Sequence, residues 1–285
     1  MKLVETEETE QFSFEPFASH PFYTDINRSL VCHALSSFAQ RPCDSTLTIV
    51  DVACGTGVAT RLIAEDMARQ GKQTRIIGVD PSAEALRRAR RSMEGMEVMV
   101  EFIQGEAADL PAIVQGADVA FLCNAIHLLP DKLCIFQLIA TILVPGGIFA
   151  CNSAFYDGAY PKESERFYRL WIRRAVGWLR KEHPEVRFTR EVKAKTMQWL
   201  NPEEYRTLLG ESGFCCIDTA QECAMMSMDS HRDIGRYRLF IEGALPGIPL
   251  ALGAAALGIS VYQAGQELGL TELPRNWLQI VAIKA

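Results

Sequence analysis

The 285-residue sequence predicts an α/β fold, a doubly wound and mostly parallel sheet that carries helical insertions. From Thr46 to Ser153, short β-branched or apolar runs alternate with helical stretches, which is the pattern of a parallel sheet covered on both faces. After Ser153 this alternation breaks, resumes at Asn201 and breaks again before a closing apolar run, Trp277 to Lys284. These interruptions predict two helical insertions in the sheet.

The elements of the first half follow from apolar runs bounded by turn residues. Five runs predict strands: Leu47 to Val52, Arg75 to Val79, Val98 to Ile103, Val119 to Leu122 and Gly147 to Asn152. Helical stretches are expected between them: near Gly57 to Gln70, Ala83 to Met93, around Ala112, and Lys132 to Leu143. Because proline and glycine punctuate elements, we expect Pro145-Gly146-Gly147 to end the last helix and start the next strand.

The second half is less regular. Residues from Pro161 to about Leu200 predict a helical insertion rich in aromatic and basic side chains. Asn201 is a favourable helix N-cap, because a proline and two acidic residues follow it in the first turn. A strand near Cys215 to Cys223, a second insertion over about 229–274 and the closing strand complete the prediction.

Composition narrows the class of protein. A hydrophobic content of 48% is enough for a full core and excludes a disordered or fibrous chain. The net charge of -6 argues against a nucleic-acid substrate, since such a surface repels phosphate backbones. Nine cysteines, an odd number that includes the adjacent pair Cys215-Cys216, fit reduced thiols in the cytoplasm.

Two segments can be compared with secretory signals and membrane spans: the first residues and one long apolar stretch. The acidic start MKLVETEETE lacks the basic region and the apolar run of a secretory signal. Gly243 to Gln266 is long enough to span a bilayer, but it contains Pro246 and Pro249 and has no Lys or Arg anchor. We therefore expect a buried helix there and no membrane contact.

The end of the first strand carries the most specific motif. Residues 51–57 read DVACGTG. This segment begins at the end of the apolar first strand, continues as a glycine-rich turn and leads into the first predicted helix of the sheet. This motif resembles the cofactor loop of class I S-adenosylmethionine-dependent methyltransferases. The resemblance implies that Asp51 faces the cofactor ammonium, usually through water, and that the glycines let the backbone approach the methionine part. The implied loop contacts are Ala53, Cys54, Gly55, Thr56 and Gly57.

Two other cofactor classes fit this loop poorly. A dinucleotide-binding loop would place a third glycine at position 60, where this chain has Thr60. A phosphate-binding P-loop would require a lysine, which the turn lacks.

Two further acidic positions follow the second and third strands. Asp80, followed by Pro81, can accept both hydroxyls of a ribose, which an adenosylmethionine enzyme and an NAD enzyme would both need. Glu106-Ala107 resembles the family segment in which an acid binds the exocyclic amine of adenine and alanine supplies a backbone amide. That family more often has Asp in this position, so Asp109 is a second candidate.

Two segments complete the resemblance. Residues 118–131, which include Asn124 and His127, are similar to the fourth strand of the family and the turn beside the sulfonium. Residues 143–147, LVPGG, match the turn before the fifth strand. Five motifs in this order make a chance match implausible. The resemblance covers residues 46–153 well and the last seventy residues in outline, but it does not cover the insertions.

The resemblance implies a Rossmann-like sheet of seven strands in which the last strand, Trp277 to Lys284, is antiparallel. It also implies S-adenosyl-L-methionine as cofactor and a small molecule as methyl acceptor. The expected organisation is an N-terminal helical lid over 1–45, a cofactor-binding core over 46–153, a helical insertion over 154–200, and a C-terminal part over 201–285 that contains the second insertion.

Catalytic residues are less well specified. His127 is the best candidate for a general base, because an unperturbed imidazole titrates near neutrality and the motif places it beside the transferred methyl. The alternative is that His127 packs or bonds a backbone carbonyl. Tyr156 and Asp157 follow the fifth strand and could contact the acceptor or solvent. Tyr23 is a possible lid residue or a core aromatic. The histidines show no metal-ligand spacing with the cysteines, so we predict no metal site.

Methyl transfer to oxygen, nitrogen or carbon of an apolar or aromatic metabolite is the function that these features favour. An NAD-linked oxidoreductase and a non-catalytic cofactor-binding module remain as alternatives. The apolar side chains of both insertions favour an apolar acceptor if they roof the site, but they could also simply pack the insertions.

Overall fold

The computed structural model describes residues 11–38, 46–187 and 199–285. It contains a seven-stranded sheet in the order β3-β2-β1-β4-β5-β7-β6. Neighbours among β1 to β5 pair in parallel, and β7 pairs antiparallel to β5. The predicted doubly wound sheet with an antiparallel last strand is therefore confirmed. The strands are β1 Leu47–Val52, β2 Thr74–Asp80, β3 Met99–Gln104, β4 Ala117–Cys123, β5 Leu143–Ser153, β6 Phe214–Ser227 and β7 Glu272–Lys284.

Helices connect and cover these strands. The α-helices are α1 Glu15–Ala18, α2 Pro21–Leu35, α3 Val58–Arg69, α4 Ala83–Ser92, α5 Leu110–Ile113, α6 Lys132–Ile142, α7 Lys162–Glu182, α8 Pro202–Glu211, α9 Met228–Ile234, α10 Arg238–Ala244 and α11 Leu250–Leu268. Short 3₁₀ turns lie at Ser36–Phe38, Ala107–Asp109 and Ile126–Leu128.

Several element boundaries differ from the prediction; in particular, β5 begins at Leu143 rather than at Gly147, so the Pro-Gly-Gly turn lies inside the strand. Helix α6 ends at Ile142, before the Pro-Gly-Gly turn, because Leu143 is already extended and pairs with Ala117. Helix α2, within the expected N-terminal helical segment, begins at Pro21, since proline fits the first turn of a helix.

Contacts divide the chain into two units. The sheet unit contains described residues 24–38, 46–159, 199–222 and 277–285. The helical unit contains described residues 11–23, 160–187 and 223–276. Strands β6 and β7 are longer than predicted because each continues from the sheet unit into residues of the helical unit.

The sheet unit has an apolar core on each face of the sheet. Alternate strand residues enter opposite cores: Val50 and Val52 lie in one cluster, and Ile49 lies in the other. Residues of α5, α6 and α8 join the first cluster, while residues of α2, α3 and α4 join the second. This two-sided burial holds the carboxyl ends of β1, β2, β4 and β5 in fixed positions along one edge.

Buried aromatic residues form the centre of the helical unit. The Trp171 ring stacks on Phe240 at 5.3 Å between centroids, and its indole nitrogen donates to the Leu257 carbonyl over 2.8 Å. Phe167 is fully buried in the same region. In the part of the chain that the structure describes, no helix is both long enough and apolar enough to cross a bilayer.

Candidate active site

Asp51 is a buried carboxyl group near the end of β1. Its Oδ2 atom accepts a hydrogen bond from Thr60 Oγ1 over 2.6 Å. Its Oδ1 atom is also buried and has no hydrogen-bond partner among the described residues. Burial, together with the charge of Asp80, raises the pKa of Asp51 to about 7 against the opposing effect of the hydrogen bond from Thr60. A positively charged partner would therefore stabilise the ionised form of Asp51, whose Oδ1 atom can accept a hydrogen bond.

The loop after Asp51 turns through left-handed backbone conformations. Ala53, Gly55 and Gly57 have φ values of 53°, 53° and 84°. A Cβ atom on Gly57 would lie 3.0 Å from the Ala89 Cβ, whereas a Cβ on Gly55 would meet nothing within 4 Å. Gly57 is thus required by packing against α4, and Gly55 borders open space that a side chain would enter.

Asp80 joins the end of β2 to this loop. Its Oδ2 atom accepts from the Gly55 backbone nitrogen over 2.8 Å, and its Oδ1 atom accepts from the Ser82 nitrogen over 2.9 Å. Each carboxylate oxygen can accept a second hydrogen bond, so both could also receive a hydroxyl group. Pro81 follows at an exposed position, and Ser82 caps α4.

The turn after β3 holds Glu106 and Asp109 in a reciprocal capping box, in which each carboxylate accepts from the backbone nitrogen of the other residue. The Asp109 Oδ2 atom accepts from the Glu106 nitrogen over 2.8 Å. Both side chains are exposed, and Ala107 between them is half-buried. Both carboxylates therefore stabilise the turn and face solvent as candidates for contact with a ligand.

Three asparagines form a buried chain of hydrogen bonds at the ends of β4 and β5. The backbone nitrogen of Asn124 donates to Asn152 Oδ1 over 2.8 Å, and Asn152 Nδ2 donates to Asn27 Oδ1 over 3.0 Å. Asn124 Oδ1 accepts from the Ala154 nitrogen over 3.0 Å. Because backbone nitrogens only donate, these bonds fix the orientation of both amides. Asn124 Nδ2 is buried and has no hydrogen-bond partner among the described residues.

His127 lies in the 3₁₀ turn after β4 and is almost fully buried. Its Nδ1 atom is 3.3 Å from Ser153 Oγ, and its ring packs on Phe155 with 4.2 Å between centroids. Ser153 Oγ also accepts from the Phe155 nitrogen over 3.0 Å, which fixes the hydroxyl beside the imidazole. The imidazole is therefore held at the edge where β4 and β5 end.

The remaining candidates lie in different surroundings. Tyr156 is buried, and its hydroxyl donates to Gln221 Oε1 over 2.9 Å, while Asp157 is exposed. Tyr23 belongs to the helical unit and packs edge-on against Phe14 at 5.7 Å. Among the residues that the structure describes, no group of three or more His, Cys, Asp or Glu side chains could hold a metal ion.

A model of the methyltransferase domain matches residues 43–199, which is more than half of the chain. The chain belongs to the methyltransferase-domain family. The matched range includes the glycine-rich loop, Asp80, Glu106 and the ends of β4 and β5.

Two relatives of this methyltransferase-domain protein illustrate the match. The trans-aconitate 2-methyltransferase of Azoarcus sp. (strain BH72) is 34% identical over 143 residues, which are 49% of this chain and 52% of the relative. The demethylmenaquinone methyltransferase of Lactococcus lactis subsp. lactis (strain IL1403) is 34% identical over 106 residues, 37% of this chain and 41% of the relative. The chain thus spans about half or less of the length of these curated relatives.

A solved structure agrees at the level of the fold. Phosphoethanolamine N-methyltransferase 2 of Haemonchus contortus, in complex with S-adenosyl-L-methionine, superimposes with a TM-score of 0.54. The alignment covers 99% of this chain and 58% of that chain at 15% identity. The chain therefore has the class I fold that its motifs predict.

Sequence reasoning missed four residues of this site in the methyltransferase domain. Thr60 was considered only as the residue that replaces a third glycine, and its position in the first turn of α3 could have indicated the bond to Asp51. Asn152 and Ser153 are polar residues that end an otherwise apolar strand, which is a usable signal. Asn27 gives no signal, because its partner lies 125 residues away in the sequence.

Proposed function

We propose that this protein transfers a methyl group from S-adenosylmethionine to oxygen, nitrogen or carbon of a small, apolar or aromatic metabolite. One observation carries the proposal: a buried carboxylate oxygen of Asp51, which has no hydrogen-bond partner among the described residues, lies at the end of β1, directly before the loop that borders open space beside Gly55. A cationic ligand that approaches the backbone closely would suit both features.

Other residues fit the remaining parts of this cofactor. Asp51 would bind the ammonium group, Asp80 the ribose hydroxyls, and Glu106 with Ala107 the adenine. The loop residues Cys54 and Thr56 would line the methionine part. The bound cofactor supplies a sulfonium methyl, which is already a strong donor. The protein must therefore position the acceptor and exclude water, rather than add covalent chemistry.

His127 would act as the general base where the acceptor must lose a proton. When Nδ1–H donates to Ser153 Oγ, Nε2 is left with a lone pair that can take this proton. Asn124 would contribute its Nδ2 donor to a bound ligand. Tyr156 is the weaker candidate, because its hydroxyl already donates to Gln221.

The acceptor class rests on two kinds of support. The insertions are rich in apolar side chains, although Phe167, Trp171 and Leu257 are fully buried within the helical unit and so contribute to its own core. The relatives include four that are named for trans-aconitate, a carboxylic acid, three that are named for demethylmenaquinone and one that is named for 2-phytyl-1,4-naphtoquinone. We favour the quinone-like class, and a polar acid acceptor is the competing class.

A cytoplasmic protein with reduced thiols suits this proposal, and the eight described cysteines form no disulfide.

Calorimetry and a labelled acceptor panel test the proposal. We expect S-adenosylhomocysteine to bind and NAD to give no heat. With labelled S-adenosylmethionine, label should enter a naphthoquinol and not trans-aconitate. Tight NAD binding without a response to S-adenosylhomocysteine would identify an oxidoreductase. Cofactor binding without labelled product across both acceptor classes would favour a non-catalytic binding module.

A further inference from the structure

One exposed row of helix α7 consists of basic residues. Lys162, Arg166, Arg169 and Arg173 follow one another at intervals of four, three and four residues and are all exposed. This spacing places them on one face of the helix over about 16 Å. Other faces of α7 carry buried residues, among them Phe167 and Trp171.

The charge of α7 differs from that of the rest of the chain. The helix contains seven Lys and Arg residues against three Glu residues, whereas the other residues contain 22 basic and 32 acidic side chains. Beside the row, the Glu165 carboxylate lies 3.6 Å from Arg169 and offsets part of its charge. Arg174, outside the row, pairs with Glu267. A concentrated positive row therefore lies on an otherwise acidic protein.

Helix α11 packs against α7 within the helical unit and carries its charge only near its C-terminal end. The indole nitrogen of Trp171 donates to the Leu257 carbonyl, and no Lys, Arg, Asp or Glu occurs from Leu250 to Gln266. On this helix, Ile259 is 43% exposed, and Tyr262 is 41% exposed with its hydroxyl bonded to Asp229 and Arg232. Basic side chains and an exposed apolar side chain are the two components that hold a helix at a membrane interface.

We propose that the helical unit binds peripherally to an anionic lipid surface through the basic row of α7 and the exposed apolar residues of α11. Lysine and arginine gain energy near anionic headgroups, and an apolar side chain gains energy in the interfacial layer. From the sequence, no membrane contact was expected at residues 243–266, on the ground that they do not form a bilayer span. The proposed contact departs from that expectation, because the helices would lie on the membrane without crossing it. A nucleic acid would gain from the basic row but nothing from the exposed Ile259. The inference goes beyond methyl transfer and does not depend on it.

Vesicle sedimentation with the whole protein tests the inference. We expect binding to phosphatidylcholine vesicles that contain about one third phosphatidylglycerol, weaker binding as NaCl is raised, and no binding to pure phosphatidylcholine. Equal binding to both vesicle types, or to neither, would overturn it. Retention of duplex RNA without any vesicle binding would identify the row as a nucleic-acid surface instead.

Charge-reversal variants locate the surface. Arg166→Glu with Arg173→Glu should weaken vesicle binding by about 30-fold or more, since each basic residue near an anionic surface contributes roughly a fivefold factor. Arg87→Glu with Arg91→Glu is the matched control, because it makes the same change in net charge on exposed residues of α4 in the sheet unit. Ile259→Ser should cause a smaller loss. Circular dichroism and S-adenosylhomocysteine binding establish that each variant is folded. Equal losses in the two double variants would contradict the assignment to α7.

Discussion

Asp51 makes cofactor binding sensitive to pH. Its raised pKa of about 7 means that the empty site holds a proton on this carboxyl at mildly acid pH. The ammonium of a bound cofactor would stabilise the ionised form, so binding lowers this pKa and releases a proton. We therefore expect affinity for S-adenosylhomocysteine to rise as pH rises through about 7. Calorimetry in buffers of different ionisation enthalpy measures the proton release.

Asp51→Asn is the control for this linkage, because it keeps the shape of the side chain and removes the titration. The variant should bind more weakly and show neither proton release nor a pH dependence in that range. Proton release that persists in Asp51→Asn would assign the titration to another group.

Valine substitutions at Gly55 and at Gly71 distinguish the loss of space for a ligand from the effect of backbone strain. Both have positive φ, at 53° and 65°, and a Cβ on either would meet nothing within 4 Å. Valine at either position should therefore cost a similar conformational strain of about 1–2 kcal/mol. Only Gly55→Val should weaken S-adenosylhomocysteine binding, by roughly tenfold or more, or about 1.4 kcal/mol. Equal affinities of the two variants would show that the space beside Gly55 is not used by the cofactor.

His127→Ala tests the general base. Removal of the imidazole should lower kcat by about 100-fold or more, while affinity for S-adenosylhomocysteine stays within about twofold. His127→Gln is a comparison that keeps a polar side chain of similar size. Turnover that is unchanged at every pH in both variants would assign His127 to packing against Phe155.

At the scale of elements, the asparagine chain ties helix α2 to the ends of β4 and β5. Asn152→Asp keeps an acceptor for the Asn124 backbone nitrogen but replaces the donor to Asn27 Oδ1 with an oxygen. We expect a loss of about 1–3 kcal/mol in unfolding free energy and faster amide exchange in α2. Asn201→Asp makes the same chemical change at an N-cap that accepts either residue, so it should be nearly neutral. Unchanged exchange in α2 would show that this tie does not stabilise the helix.

Local signals predicted some elements well and others poorly. The bounds of β1 agree with the prediction, because an apolar run ends there at a glycine-rich turn. Asn201 caps α8 as expected: its Oδ1 accepts from the Glu204 nitrogen over 2.9 Å. The extension of β6 to Ser227 and of β7 back to Glu272 was not predicted, because these residues belong to the helical unit and carry no turn signal. Asp80 and Gly55 could be recognised from motifs, whereas the bonds of Asn27 and Ser153 depend on tertiary contacts.

At the scale of the molecule, His231 makes stability sensitive to acid. This buried histidine has hydrogen bonds to the Ser227 carbonyl and to the Tyr168 hydroxyl. Burial, with the nearby Arg275 charge, lowers its pKa to about 4. Its neutral form stabilises the fold fully above the unfolded pKa of about 6.5, and this contribution falls as pH drops towards 4. Urea unfolding between these pH values should show a loss of roughly 3 kcal/mol. His231→Gln should flatten that dependence, and an equally steep dependence in the variant would assign it to other groups.

The strand order has a consequence for how this protein is made. Strand β7 lies between β5 and β6 in the sheet, yet it is synthesised after both, and its residues 278–283 pair with 148–153. Until β7 leaves the ribosome, the edge of β5 exposes unpaired backbone groups, and β6 has no strand to join it to the sheet. The nascent chain must therefore protect the edge of β5 during the interval between the synthesis of β6 and that of β7. In this interval the chain is most prone to aggregate, and chaperones would be most needed then.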